Sequence, residues 1–228
     1  MILKLRLSKH ISQLNTATCT ALAISLCILT FGGSEKMQNR DTISLPTPEK
    51  SGRKTVEKTL ANRRSIREYS AQPLTLQQIS QFCWPAAGET VDAVSGATRT
   101  YPSAGGIYPC ELYVAAGKVN NLPPGIYNYD RRNNNLVLKG KGDFRNKISK
   151  SALGQSSMKE TPINFIMTAD IEETTKTYVE GGHKLYIHME AGCAAQNIHL
   201  QCESLQLETV IIGVFPGVTA IRHPKRCR

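Results

Sequence analysis

The sequence predicts an α+β domain in which helices cover a mixed β-sheet and one long helix lies at the centre. Residues 110–116 and 163–169 are short apolar runs typical of buried strands. Residues 126–130 and 136–138 are strand-like and flank a polar turn, which predicts a hairpin. Small and apolar residues recur at spacings of three and four over residues 186–207, which predicts the longest helix.

The composition is that of a folded domain with a basic surface. The chain has 228 residues, of which 40% are hydrophobic and 20% charged, and its net charge is +10. Such a charge favours a phosphorylated small molecule, an anionic membrane surface or nucleic acid as the partner. Nucleic acid is the weakest of the three, because the sequence has no zinc-finger spacing and no basic helix with interleaved aromatic residues.

The cysteines predict neither a disulfide framework nor a metal site. None of the seven forms a C-x-x-C pair, and the five beyond residue 34 lie in mostly apolar contexts. They are expected to be small core residues, and no metal is expected. The seven are Cys19, Cys27, Cys83, Cys110, Cys193, Cys202 and Cys227.

Residues 1–34 have the pattern of a signal peptide or membrane anchor. A basic start precedes the apolar run 17–31, and small residues follow it. The run is short for a membrane span, which needs about twenty residues, so a cleaved signal and an uncleaved anchor both stay open, with a buried helix ranked third. The protein is therefore expected to be exported or anchored, and an anchored domain can face the cytoplasm. Residues 35–54 are polar and predict a mostly unstructured linker.

The folded domain is predicted over residues 55–215 and begins with two helices. The first covers residues 55–61, with Val56 and Leu60 on one face. Thr75 and Gln78 form a capping-box pattern that opens the second. That helix covers residues 76–84, and its apolar side is Ile79, Phe82 and Cys83.

A cluster of basic residues lies between these helices. Arg63, Arg64, Ser65 and Arg67 fall within five positions at a junction, where side chains and backbone N–H groups can converge on one anion. The planar guanidinium fork of arginine matches a phosphate group. The alternative is a solvated basic corner, and composition alone favours it.

Residues 99–109 predict a backbone that approaches a flat or bulky partner closely. Pro102 and Pro109 restrict φ, while Gly105 and Gly106 carry no Cβ atom. Residues 86–98 before this segment are small and polar and predict a loop. Further along the chain, a helix at 144–153 and a last buried strand at 209–215 are expected.

Three segments in this order resemble the FMN-dependent nitroreductase superfamily, and its SagB-type dehydrogenase branch in particular. They are the arginine motif at 63–69, the proline–glycine segment at 101–109, and residues 190–197 leading into 212–215. The resemblance spans about residues 55–215, and it implies a nitroreductase-like fold.

The resemblance also implies FMN as the cofactor and a homodimer. It implies an oxidoreductase that passes hydride from NAD(P)H or an organic substrate to flavin N5 and then reduces a second substrate. It assigns Arg63, Ser65 and Arg67, with Arg64 in addition, to the FMN phosphate. It places the following residues at the flavin ring, partly across the dimer interface: Pro102, Ser103, Ala104, Gly105, Gly106, Ile212 and Gly213.

Azoline-oxidising members of this branch use a basic residue and a tyrosine just before the long helix to handle protons. Here Tyr186 takes the tyrosine position and Lys184 is one residue out of register, since Leu185 stands where the basic residue is usual. The alternative is that Tyr186 is a packed residue at the start of the helix.

Two departures from the family pattern keep other functions open. Cys193 stands where a histidine is common, and residues 216–228 form an atypical basic tail, so that the C-terminal part is expected to be truncated. The second hypothesis is therefore a flavin-fold binding protein without redox turnover. The third is a basic anchored protein that binds anionic lipid.

Overall fold

The computed structural model describes residues 2–6, 41–92, 96–171 and 182–214. Its strands are β1 (Ile2–Arg6), β2 (Thr42–Ser44), β3 (Glu89–Asp92), β4 (Gly96–Arg99), β5 (Cys110–Ala116), β6 (Gly125–Asp130), β7 (Asn135–Lys141) and β8 (Ile163–Asp170). Its helices are α1 (Val56–Asn62), α2 (Leu76–Ala87), α3 (Arg145–Ser151), α4 (Ser156–Glu160) and α5 (Gly182–Ser204), with a 3₁₀ turn at Ala104–Gly106.

Six strands form one mixed sheet in the order β1-β8-β5-β6-β7-β2. Strand β5 is antiparallel to both β8 and β6, and the predicted hairpin β6–β7 is antiparallel as well. Strand β1 adds at one edge, parallel to β8. Strands β3 and β4 form a separate two-stranded hairpin. The predicted α+β architecture with a mixed sheet and a long helix is therefore confirmed.

Helices cover both faces of the sheet, because successive side chains of a strand point to opposite sides. Leu112 and Val114 of β5 belong to a core cluster that also contains residues of α2 and α5. Ala115, which follows Val114 and points to the opposite side, belongs to a second cluster with Ile148 of α3 and Met158 of α4. Strand β5 therefore supplies both cores and is buried on nearly its whole length.

Helix α2 begins at the predicted capping box. The Thr75 N–H donates to Gln78 Oε1 at 2.8 Å, and the Gln78 N–H donates to Thr75 Oγ1 at 3.2 Å. The helix runs beyond the predicted end and includes Pro85, whose carbonyl accepts hydrogen bonds from Thr100 Oγ1 and Asn197 Nδ2, both at 2.9 Å. The end of α2 is therefore held by side chains from elsewhere in the fold.

Residues 41–54 belong to the folded domain, so the prediction of an unstructured linker needs correction there. Strand β2 pairs with β7, and Leu45 is buried beside it. The Glu49 N–H donates to Gln81 Oε1 at 2.8 Å, and the Gln81 amide donates back to the Glu49 carbonyl. These contacts depend on α2 and β7, which the local composition of the segment does not reveal.

Three further elements differ from their predictions. The predicted loop 86–98 contains β3 and β4, which pair with each other. Residues 209–214 form no strand, although Val210 and Ile212 are buried, and Phe215 lies outside the described residues. On α1, the apolar pair Val56 and Leu60 is 62% and 52% exposed, because the helix packs through its Thr59 side instead.

The predicted targeting segment lies mostly outside the described residues, as does the tail at 216–228. Strand β1 falls inside its first six residues. Within the part of the chain that the structure describes, no helix combines the length and the apolar character that a bilayer span requires. Three of the predicted core cysteines, Cys83, Cys110 and Cys202, are buried, whereas Cys193 is exposed.

The capping box gives a test of this fold. We expect Thr75→Ala to lower the free energy of unfolding by about 1 kcal/mol, because the Gln78 N–H loses its acceptor. Urea unfolding at constant m measures the change. Thr75→Ser is the matched control, since serine keeps the accepting hydroxyl, and equal unfolding midpoints for the two variants would contradict the capping role.

Candidate functional site

The arginine cluster begins at the C-terminal end of α1. Arg64 Nη1 donates to the carbonyl oxygens of Ala61 and Arg63 at 3.0 and 2.8 Å, so this side chain satisfies the end of the helix. The Arg63 guanidinium is half-buried and makes no hydrogen bond or ion pair with any described residue. Arg63 is therefore a cation of the cluster that no described residue neutralises.

A small cavity of about 170 Å³, called the arginine cavity below, lies against this end of α1. Arg63 and Arg64 line one side of it, and His199 and Glu203 of α5 line the other. Ser65 and Arg67 are exposed and do not line the cavity. The structure therefore brings two of the four predicted phosphate-binding residues to one cavity and leaves the other two outside it.

Arg99 at the end of β4 fixes the proline–glycine segment from behind. Arg99 Nη1 donates to the Tyr101 hydroxyl at 2.7 Å and to the Cys110 carbonyl at 2.6 Å. Arg99 Nη2 donates to the Tyr108 carbonyl at 2.8 Å, and the guanidinium lies 5.0 Å from the centroid of the Tyr108 ring. One cation thus ties both ends of the segment together.

Glu190 of α5 fixes the middle of the same segment. The Ser103 hydroxyl donates to Glu190 Oε1 at 2.6 Å and accepts a hydrogen bond from the Tyr108 N–H at 2.9 Å. The Ala104 backbone N–H acts on the same carboxyl group and lowers its pKa. Glu190 is only 4% exposed, and this burial raises its pKa against the opposing hydrogen bonds. A buried carboxyl group therefore holds the 3₁₀ turn against α5.

The front of the segment is open. Pro102, Gly105 and Gly106 are exposed, and a Cβ atom placed on Gly106 would meet no heavy atom within 4 Å. Gly105 and Gly106 have φ of 61° and 66°, which residues with a Cβ rarely adopt, and Tyr108 at φ 53° is held in the same region by its contacts. The loop is thus rigidly supported from behind, and its backbone is free to contact a flat molecule.

Within one protomer the two predicted parts of the site do not meet. The turn contacts α5 at Glu190, whereas the arginine cavity contacts it at His199 and Glu203. At 1.5 Å per residue these contacts lie roughly 14–20 Å apart along the helix. Residues 102–106 line neither the arginine cavity nor the larger cavity described next.

The larger cavity, of about 400 Å³, lies where α2, α5 and the start of β8 meet. Ile212 lines it together with Tyr69, Phe82 and Ile198. Burial raises the pKa of Tyr69 to about 12, so its phenol is protonated at neutral pH. Gly213, the other residue predicted near the flavin ring, is exposed and lies just beyond this cavity lining.

The predicted proton-handling residues lie in the first turns of α5. Tyr186 is half-buried and precedes Glu190 by four residues, so both lie on the same side of the helix. Lys184 belongs to the same helix, but its side chain lies outside the described residues. Their role stays a prediction.

Three residues of the site were missed from the sequence: Arg99, Glu190 and His199. Glu190 and His199 interrupt the apolar face of α5, and a polar residue on a buried helical face is the signal that could have identified them. Arg99 lies at the start of the proline–glycine segment, but no pattern in the sequence distinguishes it from a surface arginine. Only its contacts show that it organises the loop.

Comparison with known proteins identifies the family. The sequence profile described as the nitroreductase family matches residues 60–223. A protein of Methanocaldococcus jannaschii named as a candidate nitroreductase, MJ1384, is 36% identical over 175 residues, which are 77% of this chain and 86% of that protein.

Solved structures show the same fold. The crystal structure of a candidate nitroreductase from Ralstonia eutropha JMP134 superposes with a TM-score of 0.60 at 32% identity and covers 72% of both chains. A chain of the Escherichia coli microcin synthetase McbBCD complex with truncated pro-MccB17 has a TM-score of 0.52 at 19% identity, covering 78% of this chain and 71% of that one. The chain belongs to the nitroreductase family.

Proposed function

We propose that the protein is an FMN-dependent oxidoreductase that passes hydride from NAD(P)H or an organic substrate to the flavin and then reduces a second substrate. When bound, FMN supplies the hydride chemistry at its N5 atom. The protein supplies position and electrostatics. The observation that carries the proposal is the glycine turn, which Arg99 and Glu190 hold from behind while its backbone stays open in front.

The residues present fit such a cofactor at both ends. Arg63 offers a guanidinium without a partner among the described residues, and it lines a cavity with Arg64 and His199. A phosphate group would be bound there by charge-assisted hydrogen bonds. The open turn at Gly105 and Gly106 allows close backbone contact with a planar ring.

Because the two parts lie roughly 14–20 Å apart along α5, we propose that each complete site is shared by two protomers. An antiparallel crossing of two α5 helices near residues 193–196 places the Glu190 end of one helix beside the His199–Glu203 end of the other. The turn of one protomer would then face the arginine cavity of its partner. Gly192 and Cys193 are exposed at this crossing, and a Cβ atom on Gly192 would meet no heavy atom within 4 Å, so close approach is allowed.

Exposed apolar side chains support the same interface. Leu185 and Met189 of α5 are each 59% exposed, and both precede the small residues of the crossing. Val56 and Leu60 of α1, which also packs against α5, are exposed as well. Exposed apolar side chains on neighbouring helices are typical of a surface that a partner covers.

The loop sequence supports the SagB-type branch, and Tyr186 stays the predicted proton-handling residue. We propose NAD(P)H or an organic substrate as the electron donor, and we do not assign the second substrate. The alternative is a flavin-binding protein without turnover. It also predicts that FMN binds, but it predicts that NADH and NADPH do not reduce the bound flavin.

The first test is flavin content. We expect the purified full chain to bind FMN and show the yellow absorbance of a flavoprotein, and we expect NADH or NADPH to bleach it. Arg63→Ala should weaken FMN binding about tenfold or more, because a hydrogen bond to a charged group contributes about 1.5–3 kcal/mol. Arg53→Ala, an exposed arginine outside both cavities, is the control.

Each result of this titration has one meaning. A colourless protein that fails to bind added FMN rejects the proposal. Bound flavin that neither nicotinamide cofactor reduces favours the alternative without turnover. Equal FMN affinity of the Arg63→Ala and Arg53→Ala proteins rejects the phosphate assignment alone.

The contact between the Glu190 carboxyl group and the 3₁₀ turn gives the second test. Glu190→Ala removes the acceptor of the Ser103 hydroxyl and should raise hydrogen exchange in residues 102–108, with a loss of about 1–3 kcal/mol in stability. Glu190→Gln keeps one acceptor oxygen and should retain more protection and more FMN affinity. Exchange in Glu190→Ala equal to that of the wild type would show that the carboxyl group does not hold the turn.

The dimer gives the third test. Met189→Lys places a charge at the proposed interface and should convert a dimer to a monomer in sedimentation experiments, with loss of bound FMN. Leu153→Lys is the matched control, because Leu153 is 61% exposed and lies after α3, on the other face of the sheet. A monomeric Met189→Lys protein with full FMN affinity would disprove the shared site.

A further inference from the structure

One residue that lines the arginine cavity, His199, carries a buried polar atom to which the proposed function gives no role. His199 of α5 lines the cavity opposite Arg63 and is only 3% exposed. Its Nδ1 atom is buried and has no hydrogen-bond partner among the described residues. Buried polar atoms of native proteins nearly always have a partner, and leaving one unpaired costs about 1–3 kcal/mol.

No ion pair between described residues neutralises Arg63. Glu203 lies 2.9 Å from Lys54 Nζ, and this hydrogen bond lowers the pKa of the Glu203 carboxyl, so its charge is already paired. Arg64 donates to the carbonyls at the end of α1. Glu208 lines the cavity as well, but it has no contact with Arg63 among those described.

The surroundings of His199 favour its neutral form. Burial lowers its pKa first, and the Arg63 guanidinium lowers it further. A neutral imidazole presents one N–H donor and one acceptor nitrogen. An anion inside the cavity would receive a hydrogen bond from this ring and a charge-assisted hydrogen bond from Arg63, and it would therefore satisfy both groups.

The size and the lining select the class of anion. A cavity of about 170 Å³ holds several waters, whose share of liquid volume is about 30 Å³ each, or one tetrahedral anion. Water alone would satisfy the imidazole but would not balance the guanidinium. Ser65 and Arg67, which the sequence pattern assigned to the phosphate, do not line the cavity.

We propose that His199 binds the phosphate group of the flavin nucleotide, donating a hydrogen bond from Nδ1 to a phosphate oxygen opposite Arg63. The inference rests on the proposed function and extends it, because it adds a helix residue that the arginine motif does not contain. His199 is a binding residue in this assignment and takes no part in hydride transfer.

The test compares three probes on the full-length protein: FMN, riboflavin and inorganic phosphate. Riboflavin carries the same ring without the phosphate group. We expect His199→Leu to weaken FMN binding about tenfold to a hundredfold and to leave riboflavin binding unchanged. His199→Asn, whose amide can donate close to the Nδ1 position, should recover part of the FMN affinity. His199→Phe is a second apolar variant. If one of the two apolar variants does not fold, the other is used to compare FMN and riboflavin binding.

The outcomes separate this inference from the proposed function. Unchanged FMN affinity in the apolar variant, or equal losses for FMN and riboflavin, would overturn the role of His199 and leave the flavin proposal intact. Wild-type protein that binds neither flavin would overturn the flavin proposal. Inorganic phosphate tests whether His199 binds an anion at all. A rise in the melting temperature of the wild type but not of His199→Leu supports the anion site. Equal rises in the two proteins overturn it.

Discussion

The contact between the buried Glu190 carboxyl group and the Ser103–Ala104 backbone turn is the constraint on which the site depends. A turn with two consecutive glycines at positive φ is costly to order, and without a support it would sample many conformations. The carboxyl group accepts a hydrogen bond from the Ser103 hydroxyl, while Arg99 donates to the carbonyls of Tyr108 and Cys110. These contacts lock the turn with its open face outward.

Helix α5 transmits this constraint to the rest of the domain. Through Glu190 it holds the turn, and through Asn197 it donates to the carbonyls of Pro85 and Thr100, which fixes the end of α2 beside β4. Through His199 it borders the arginine cavity. Its small residues, such as Ala191 and Ala194, let the helix pack closely in the core. A single rigid element therefore sets the spacing between both parts of the site.

The sequence predicted correctly those elements that depend on interactions between residues close together in the chain. The capping box at Thr75 and the bounds of β5 follow from residues next to one another in the chain. Strand β2 was missed because a three-residue strand exists only through its pairing with β7. Likewise, periodicity placed Val56 on an apolar face but could not reveal that the described residues leave it 62% exposed. The site was predicted as two motifs, while the residues that join them come from distant parts of the chain.

The buried polar atoms without described partners show where the fold departs from the most stable arrangement. They are Nε1 of Trp84, Nε of Arg99, Oε2 of Glu190 and Nδ1 of His199. Three of these residues belong to the turn or to the arginine cavity, and exceptions of this kind concentrate at functional sites. A domain selected for stability alone would replace Glu190 and His199 by apolar residues of similar volume. Their burial on the helix that connects the two parts is therefore better explained by binding than by folding.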